Sequence, residues 1–349
     1  MNLICFGTRP ELIKCISLIQ KLNEKKIPFK TLFSGQHENL IKKFYKYIDK
    51  PNFVFTNIMD HGQSLNQLSS KILLQTNKLF LENTFSNVIV QGDTTTSYTI
   101  ALSAFHFQIP VIHLEAGLRT NNKYSPFPEE INRRLISQIA SIHLCPTTLS
   151  VENLQREKIT NEVHLVGNTI VDVYKYILEN SKPSNKIEKI IDNNKEYIVV
   201  TLHRRENRGE KMFCMWKQLN SLSDKYKFIY ITHPSLLDSK NILDDTNIIL
   251  LDPQDYESMV HLISNSKGII TDSGGLQEEA VCANKRVLIC RDTTERPETI
   301  DCGLGKLIGT KITENIRFLD DNCIDIVVNP YGNNVCDKIL EKIIILKNI

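Results

Sequence analysis

The 349-residue chain has no excess of charge of either sign. Its 42 Lys and Arg face 40 Asp and Glu, a formal net charge of +2. That balance excludes the broad electrostatic footprint of a DNA-, RNA- or anionic-membrane-binding surface. A local phosphate site needs few donors and stays open. The nine cysteines are odd in number and include no C-x-x-C pair, which argues against a disulfide framework and a structural zinc site. Most are expected to be small buried residues in a reducing compartment. No apolar stretch approaches the length that spans a bilayer. The N-terminal apolar run ends at Gly7, before Arg9, too short for a signal peptide, so a cytoplasmic protein is expected. No short-period repeat is visible. With 41% apolar and 23% charged residues, the composition is that of an ordinary globular protein, long enough for two domains.

What is present is a rhythm. Leu3–Phe6, Phe29–Phe33, Asn87–Gln91, Val111–Leu114 and Ile142–Cys145 read as short buried strands. Pro10–Leu22, Ser64–Leu81, Thr94–Phe107, Glu129–Ala140 and Thr148–Arg156 read as the helices between them. Strands Tyr197–Leu202, Lys227–Thr232, Asn247–Leu251, Gly268–Thr271 and Arg286–Cys290 repeat the pattern, with helices Phe213–Ser223, Tyr256–Ser264 and Gly275–Ala283. Such alternation predicts an α/β fold with parallel sheets covered on both faces. The polar stretch Asn180–Lys195 reads as a linker, giving two Rossmann-like, doubly wound domains facing across a cleft. The last helix, Val335–Leu346, fits either domain.

Polar motifs follow the strands, where this architecture places its ligands. Gly7-Thr8-Arg9-Pro10-Glu11 puts Arg9 at a helix N-terminus, an end that attracts anions; a plain strand-to-helix turn is the simpler alternative. Asp93, in Gly92-Asp93-Thr94, suits a helix cap. Glu115 stands at a buried strand tip, where an unpaired carboxylate costs several kcal/mol; a purely structural pairing with Arg119 is the simpler alternative. Glu129 and Glu130 would also suit a helix first turn. Three acidic clusters along one sheet edge can nevertheless divide acid and base work.

In the second half, His203 would enter the cleft, where imidazole titrates near neutral pH, or serve as a structural hydrogen-bonding group. Ser273-Gly274-Gly275 opens a helix to which a diphosphate could come close. Glu279 lies one turn further, in reach of ribose hydroxyls. Arg291-Asp292-Thr293-Thr294-Glu295-Arg296 reads as a pocket wall or as an exposed loop whose charges pair among themselves. From the residues alone, this is a two-domain enzyme that binds a nucleotide diphosphate beside several carboxylates.

Taken together, the motifs resemble the non-hydrolysing UDP-N-acetylglucosamine 2-epimerases. The matching segments run nearly the whole chain: Gly7–Glu11 with Ile13-Lys14, Gly35-Gln36-His37, Gly92–Thr96, His113–Thr120, Ser125–Arg133, Val166–Thr169, His203–Glu206, Asp272–Ala280 and Arg291–Glu298. The resemblance implies a GT-B-like fold. It assigns residues 1–168 plus 332–349 to an N-terminal domain with the acid–base groups, and 169–331 to a UDP-binding domain. It implies inversion of C2 in a UDP-linked 2-acetamido sugar through anti elimination of UDP to a 2-acetamidoglucal and re-addition. No metal or cofactor is expected.

By motif match, Asp93, Glu115, Glu129 and His203 are the catalytic residues. Asp93 and Glu115, with Glu129, would handle the C2 proton, and His203 the leaving diphosphate. Arg9, Lys14, Ser273, Gly274 and Gly275 match phosphate-binding positions, and Glu279 the ribose position; Arg133 and His233 complete the substrate contacts. Pro10 favours the non-hydrolysing branch. Gln36, His37, Arg204 and His233 suit a pocket for a second, activating UDP-sugar, but Asn39 and Lys71 depart from that pattern. The departure leaves room for a modified sugar, either a 6-deoxy 2-acetamido hexose or a 2,3-diacetamido uronate. A UDP-sugar-dependent glycosyltransferase on the same fold would leave the acidic trio unexplained, and a catalytically dead sensor would have lost one of the four groups. The resemblance also implies a homodimer feeding surface polysaccharide or glycan synthesis.

Overall fold

Each apolar run named above becomes a strand of one of two parallel sheets. The structure is a computed structural model that describes residues 1–36, 41–194, 196–232, 243, 248–321 and 329–345. The first unit holds β1 (Asn2–Phe6), α1 (Arg9–Glu24), β2 (Phe29–Phe33), β3 (Phe53–Val54), α2 (Leu65–Glu82), β4 (Asn87–Gln91) and α3 (Thr95–His106). It continues through β5 (Val111–Leu114), α4 (Glu129–Ile139), β6 (Ile142–Cys145), α5 (Thr148–Arg156), β7 (Val163–Leu165) and the start of α6 (Ile170–Asn180). Its seven strands run in the order β3-β2-β1-β4-β5-β6-β7.

The second unit holds α7 (Asn185–Asn193), β8 (Ile198–Thr201), α8 (Glu210–Leu222), β9 (Phe228–Ile231), β10 (Ile248–Leu251) and α9 (Tyr256–Ser264). After these come β11 (Gly268–Thr271), α10 (Gly274–Cys282), β12 (Arg286–Ile289) and β13 (Gly305–Leu307). The six strands run β10-β9-β8-β11-β12-β13. Strand order reverses between β1 and β4 in one sheet and between β8 and β11 in the other. Those are the points where a doubly wound sheet opens a crevice for ligands.

The division falls between Val173 and Tyr174, inside α6, and the chain rejoins the first unit at Tyr331. The last helix, α11 (Val335–Ile345), therefore belongs to the first unit. It packs on α1 through the buried Val335, Cys336, Ile339, Leu340 and Ile343. Asp172 caps its N-terminus, accepting from Val335 N at 3.2 Å and Cys336 N at 2.7 Å, and Lys21 of α1 pairs with Asp337 at 3.2 Å.

The expected linker Asn180–Lys195 is instead largely helical. Ser184 accepts from Ile187 N and starts α7, and Ile187 is fully buried. The polar residues there are the solvent face of an amphipathic helix. Among the described residues no helix is long and apolar enough to cross a membrane.

Two histidines sit inside the first sheet. His113 on β5 and His143 on β6 are buried. Burial pushes the His113 imidazole down to about 3, and His143 down to about 4. Between those values and 6.5 the unfolded chain takes up protons that the folded chain refuses, so stability falls as pH drops through that window. At pH 5 each ring should cost about 2 kcal/mol relative to pH 7.5. The urea midpoint is expected to drop accordingly, and to drop less in a His113→Gln/His143→Gln double variant. Equal pH sensitivity in the two proteins would reject this account.

Candidate active site

In the first unit the site grows from the C-terminal ends of β1, β4 and β5. After β1 the chain turns through Gly7 in tight quarters. A Cβ at Gly7 would lie 2.3 Å from Thr96 Oγ1 and 2.4 Å from Ser34 Oγ, so no side chain fits. Glu11, 3% exposed, reaches back to accept from Gly7 N at 3.0 Å and Thr8 N at 2.7 Å. Its other oxygen accepts from Thr94 Oγ1 at 2.6 Å and Ser97 Oγ at 2.7 Å. One carboxylate thus ties the loop after β1 to the loop after β4. Arg9 stands beside it, with its guanidinium 6.0 Å from the Phe44 ring.

Glu115 follows β5 with φ +63°, the left-handed region that ordinary residues avoid at a cost of about 1–3 kcal/mol. The turn folds its carboxylate back over the neighbouring strand tip, where a Cβ on Gly92 would lie 3.6 Å from Glu115 Oε2. Lys14 Nζ, from α1, pairs with Oε1 at 2.5 Å, and Gln91 Nε2 donates to Oε2. Both Lys14 and Glu115 are nearly buried. The alternative partner Arg119 lies elsewhere. It forks onto Glu157 at 2.8 and 2.7 Å and so pins the start of the 118–130 loop to α5. That ion pair and its hydrogen bonds hold the Glu157 carboxyl below its ordinary range.

Asp93 pairs with Arg133 Nη2 at 2.5 Å, and its backbone oxygen accepts from Asn132 Nδ2 at 2.9 Å. The two acidic residues opening α4 separate in role. Glu130 is fully buried and accepts from Arg134 Nε, Thr120 N and Asn121 N at 3.0, 3.0 and 3.2 Å, which fixes the loop. Glu129 stays half-buried at the first position of α4. Lys14 and Arg133, expected on the substrate, thus sit on Glu115 and Asp93.

In the second unit, Asp272 after β11 is fully buried. It accepts from His203 N at 3.0 Å, Arg204 N at 2.9 Å and Asn207 Nδ2 at 3.0 Å. His203 Nδ1 lies 3.4 Å from its Oδ1, a placement that favours the ring proton on Nδ1 and leaves Nε2 to accept. Ser273 then starts α10 with no side-chain cap. Nothing would touch a Cβ at Gly275 within 4 Å, so that helix end has open space. Glu279 is 9% exposed one turn in.

Of the charges from Arg291 to Arg296, Arg291, Glu295 and Arg296 pair among themselves in the interior, whereas Asp292 is exposed and pairs with Lys211 at 3.4 Å. Arg296 holds Glu278 at 2.6 Å and also Glu295, which Arg291 holds at 2.8 Å. Burial opposes ionisation of Glu295, but the two guanidiniums outweigh it and keep the carboxyl well below its ordinary range.

Each switch point therefore assembles one group of expected residues: Arg9, Lys14, Asp93, Glu115, Glu129 and Arg133 in the first unit, His203, Ser273, Gly274, Gly275 and Glu279 in the second. His37, Asn39 and His233 lie outside the described residues. Of the other residues matched to a second sugar site, Gln36 accepts from Thr96 Oγ1 at 2.8 Å and Arg204 pairs with Glu206 at 2.7 Å. Lys71 pairs with Asp60. Sequence reasoning missed Glu11, Gln91 and Asp272 as site-forming residues. Glu11 carried a signal in the Thr8-x-x-Glu11 capping box, and Asp272 in opening the matched segment Asp272–Ala280; Gln91 carried none. Among the described residues no group of three or more His, Cys, Asp or Glu is placed to hold a metal ion.

A family model of UDP-N-acetylglucosamine 2-epimerases matches residues 20–344. The UDP-N-acetylglucosamine 2-epimerase of Campylobacter jejuni is 38% identical over 99% of this chain and 98% of its own length. The enzyme of that name from Escherichia coli K12 is 37% identical over 97% of both. A crystal structure of UDP-GlcNAc 2-epimerase from Neisseria meningitidis bound to UDP-GlcNAc superposes with a TM-score of 0.89 at 35% identity. It covers 98% of this chain and 99% of that one.

Proposed function

The chain belongs to the UDP-N-acetylglucosamine 2-epimerase family, and on that premise we propose that it inverts C2 of UDP-N-acetylglucosamine without hydrolysing the sugar–nucleotide bond. The observation that carries this reading is the pair of carboxylates at the first switch point, Glu115 on Lys14 and Asp93 on Arg133. Inversion at C2 requires a proton to leave one face and return to the other, hence two proton-handling groups.

A base takes the C2 proton while the anomeric C–O bond breaks and UDP departs with the bonding pair, leaving a 2-acetamidoglucal. UDP then re-adds to C1 as C2 receives a proton on its opposite face. Glu115 and Asp93 exchange the C2 proton, with Glu129 assisting. Lys14 and Arg133 stabilise the ionised forms of their partners between transfers, a use distinct from binding phosphate. His203, oriented by Asp272, serves the departing and returning diphosphate. The helix end at Ser273–Gly275, open at Gly275 and crowded by Arg296 and Glu295 at Gly274, suits that diphosphate, with Arg9 as a further cation, and Glu279 suits the ribose hydroxyls. The product would feed surface polysaccharide or glycan synthesis in the cytoplasm, and the enzyme would act as a homodimer.

Proton NMR in D2O with UDP-N-acetylglucosamine tests the reading. Deuterium should enter C2 and the manno epimer should accumulate still linked to UDP. Free N-acetylmannosamine with UDP would make the enzyme hydrolytic. No exchange would reject this substrate in favour of a 6-deoxy or uronate UDP-sugar.

A further inference from the structure

Gln91, the last residue of β4, is 2% exposed and spends one end of its amide on Glu115, Nε2 donating to Oε2. Among the described residues its other end, Oε1, is buried without a hydrogen-bond partner. A buried amide normally satisfies both ends. Gln91 also lines a cavity of about 10 Å³, together with Glu115, Asn168, Thr169 and Ile339 among others, about the room one water needs. The Val166–Thr169 segment, matched in sequence but given no role by the mechanism, forms part of that wall.

We propose that Gln91 is the positioning residue that lets Glu115 act both as base and as acid, its amide turning over with each proton Glu115 gains or loses. This rests on Glu115 exchanging the C2 proton, as proposed above. An ammonium only donates. Lys14 therefore keeps Oε1 an acceptor, and a proton taken from C2 falls to Oε2, the oxygen that faces Gln91. A carboxylate there needs a donor, which Nε2 supplies. A carboxylic acid needs an acceptor. Turning the amide by 180° presents Oε1 to the new O–H and moves Nε2 to the opposite side. When the proton returns to carbon, the amide turns back. No charged or purely apolar side chain of this length offers both a donor and an acceptor.

The test compares wild type with Gln91→Met, which keeps the length and loses both functions, and Gln91→Glu, which places a second carboxylate beside the first. Initial rates of deuterium entry at C2 are measured across pD, with kcat and KM separated, and UDP affinity and melting temperature serve as folding controls. In Gln91→Met, kcat should fall about 10- to 100-fold with KM nearly unchanged. The acid limb of its rate profile should move up by about one unit, and further still in Gln91→Glu. A loss carried by KM, or a loss of kcat with the acid limb unmoved, overturns the proposal. If Gln91→Met fails the folding controls, the acid limb of Gln91→Glu decides between the same two outcomes. Glu115→Gln separates the two levels. If it is inactive while the Gln91 variants keep the wild-type profile, the proposal alone falls. If it exchanges normally, the mechanistic reading falls and takes the proposal with it.

Discussion

Glu115→Gln is expected to slow C2 exchange about a thousandfold while UDP affinity stays within about twofold of wild type. Proton transfer by a positioned side chain contributes about 10²–10⁴-fold, and an amide of the same shape cannot take the proton. The substitution keeps the side-chain volume at the left-handed turn but takes one charge out of the nearly buried pair with Lys14, so stability should fall by about 3–5 kcal/mol and the exchange rate is read below the melting transition of the variant. UDP affinity is the internal control, because the proposed diphosphate groups other than Arg9 lie in the other unit. Asp93→Asn should behave similarly, but with unequal loss for the two epimers as substrates if the carboxylates work on opposite faces of C2. Both variants retaining exchange within tenfold would remove the carboxylates from the chemistry.

Asp272→Asn should cut kcat about 10²- to 10⁴-fold with UDP still bound, through His203 rather than through any contact of its own with substrate. The wild-type carboxylate accepts on both oxygens. An asparagine must turn its NH2 toward one side. The Oδ2 side is filled by the Arg204 N–H and the Asn207 amide donor, so the NH2 goes to the His203 ring. The imidazole then becomes an acceptor at Nδ1 and carries its proton on Nε2, the wrong tautomer for taking a proton there. The exchange also removes a buried anion from three N–H donors, and should lower stability by about 2–4 kcal/mol. His203→Gln supplies the comparison: Asp272→Asn should add little to it in kcat. Full additivity of the two losses would show that Asp272 does not act through His203.

The legible part of the fold lies where apolar runs are continuous and bounded by polar residues. β2, β4, β5, β6, α5 and α9 begin and end on the expected residues, because a strand buried on both faces has little freedom in where it stops. β3 and β7, of two and three residues, lie at sheet edges and lack such runs. The segment containing α7 reads as a linker because three isoleucines among polar residues show no clear pattern until Ser184 is seen as a cap. In the site, residue types are legible but partners are not. Lys14 and Glu115 lie 101 positions apart, and nothing in the Glu115 neighbourhood announces a left-handed backbone. Arg119 is the nearest cation in sequence, but it belongs to Glu157.

The first unit is assembled from both ends of the chain, and this bears on the order of synthesis. On the ribosome residues 1–173 emerge early, yet the α1 face that receives α11 stays bare until residues 331–345 follow. At about 5–20 residues per second, the whole second unit is translated in between, an interval of roughly ten to thirty seconds. The second unit is uninterrupted and waits for no later segment, whereas the first is completed only by residues 331–345. The newborn chain would complete its first unit last, although that unit begins at residue 1.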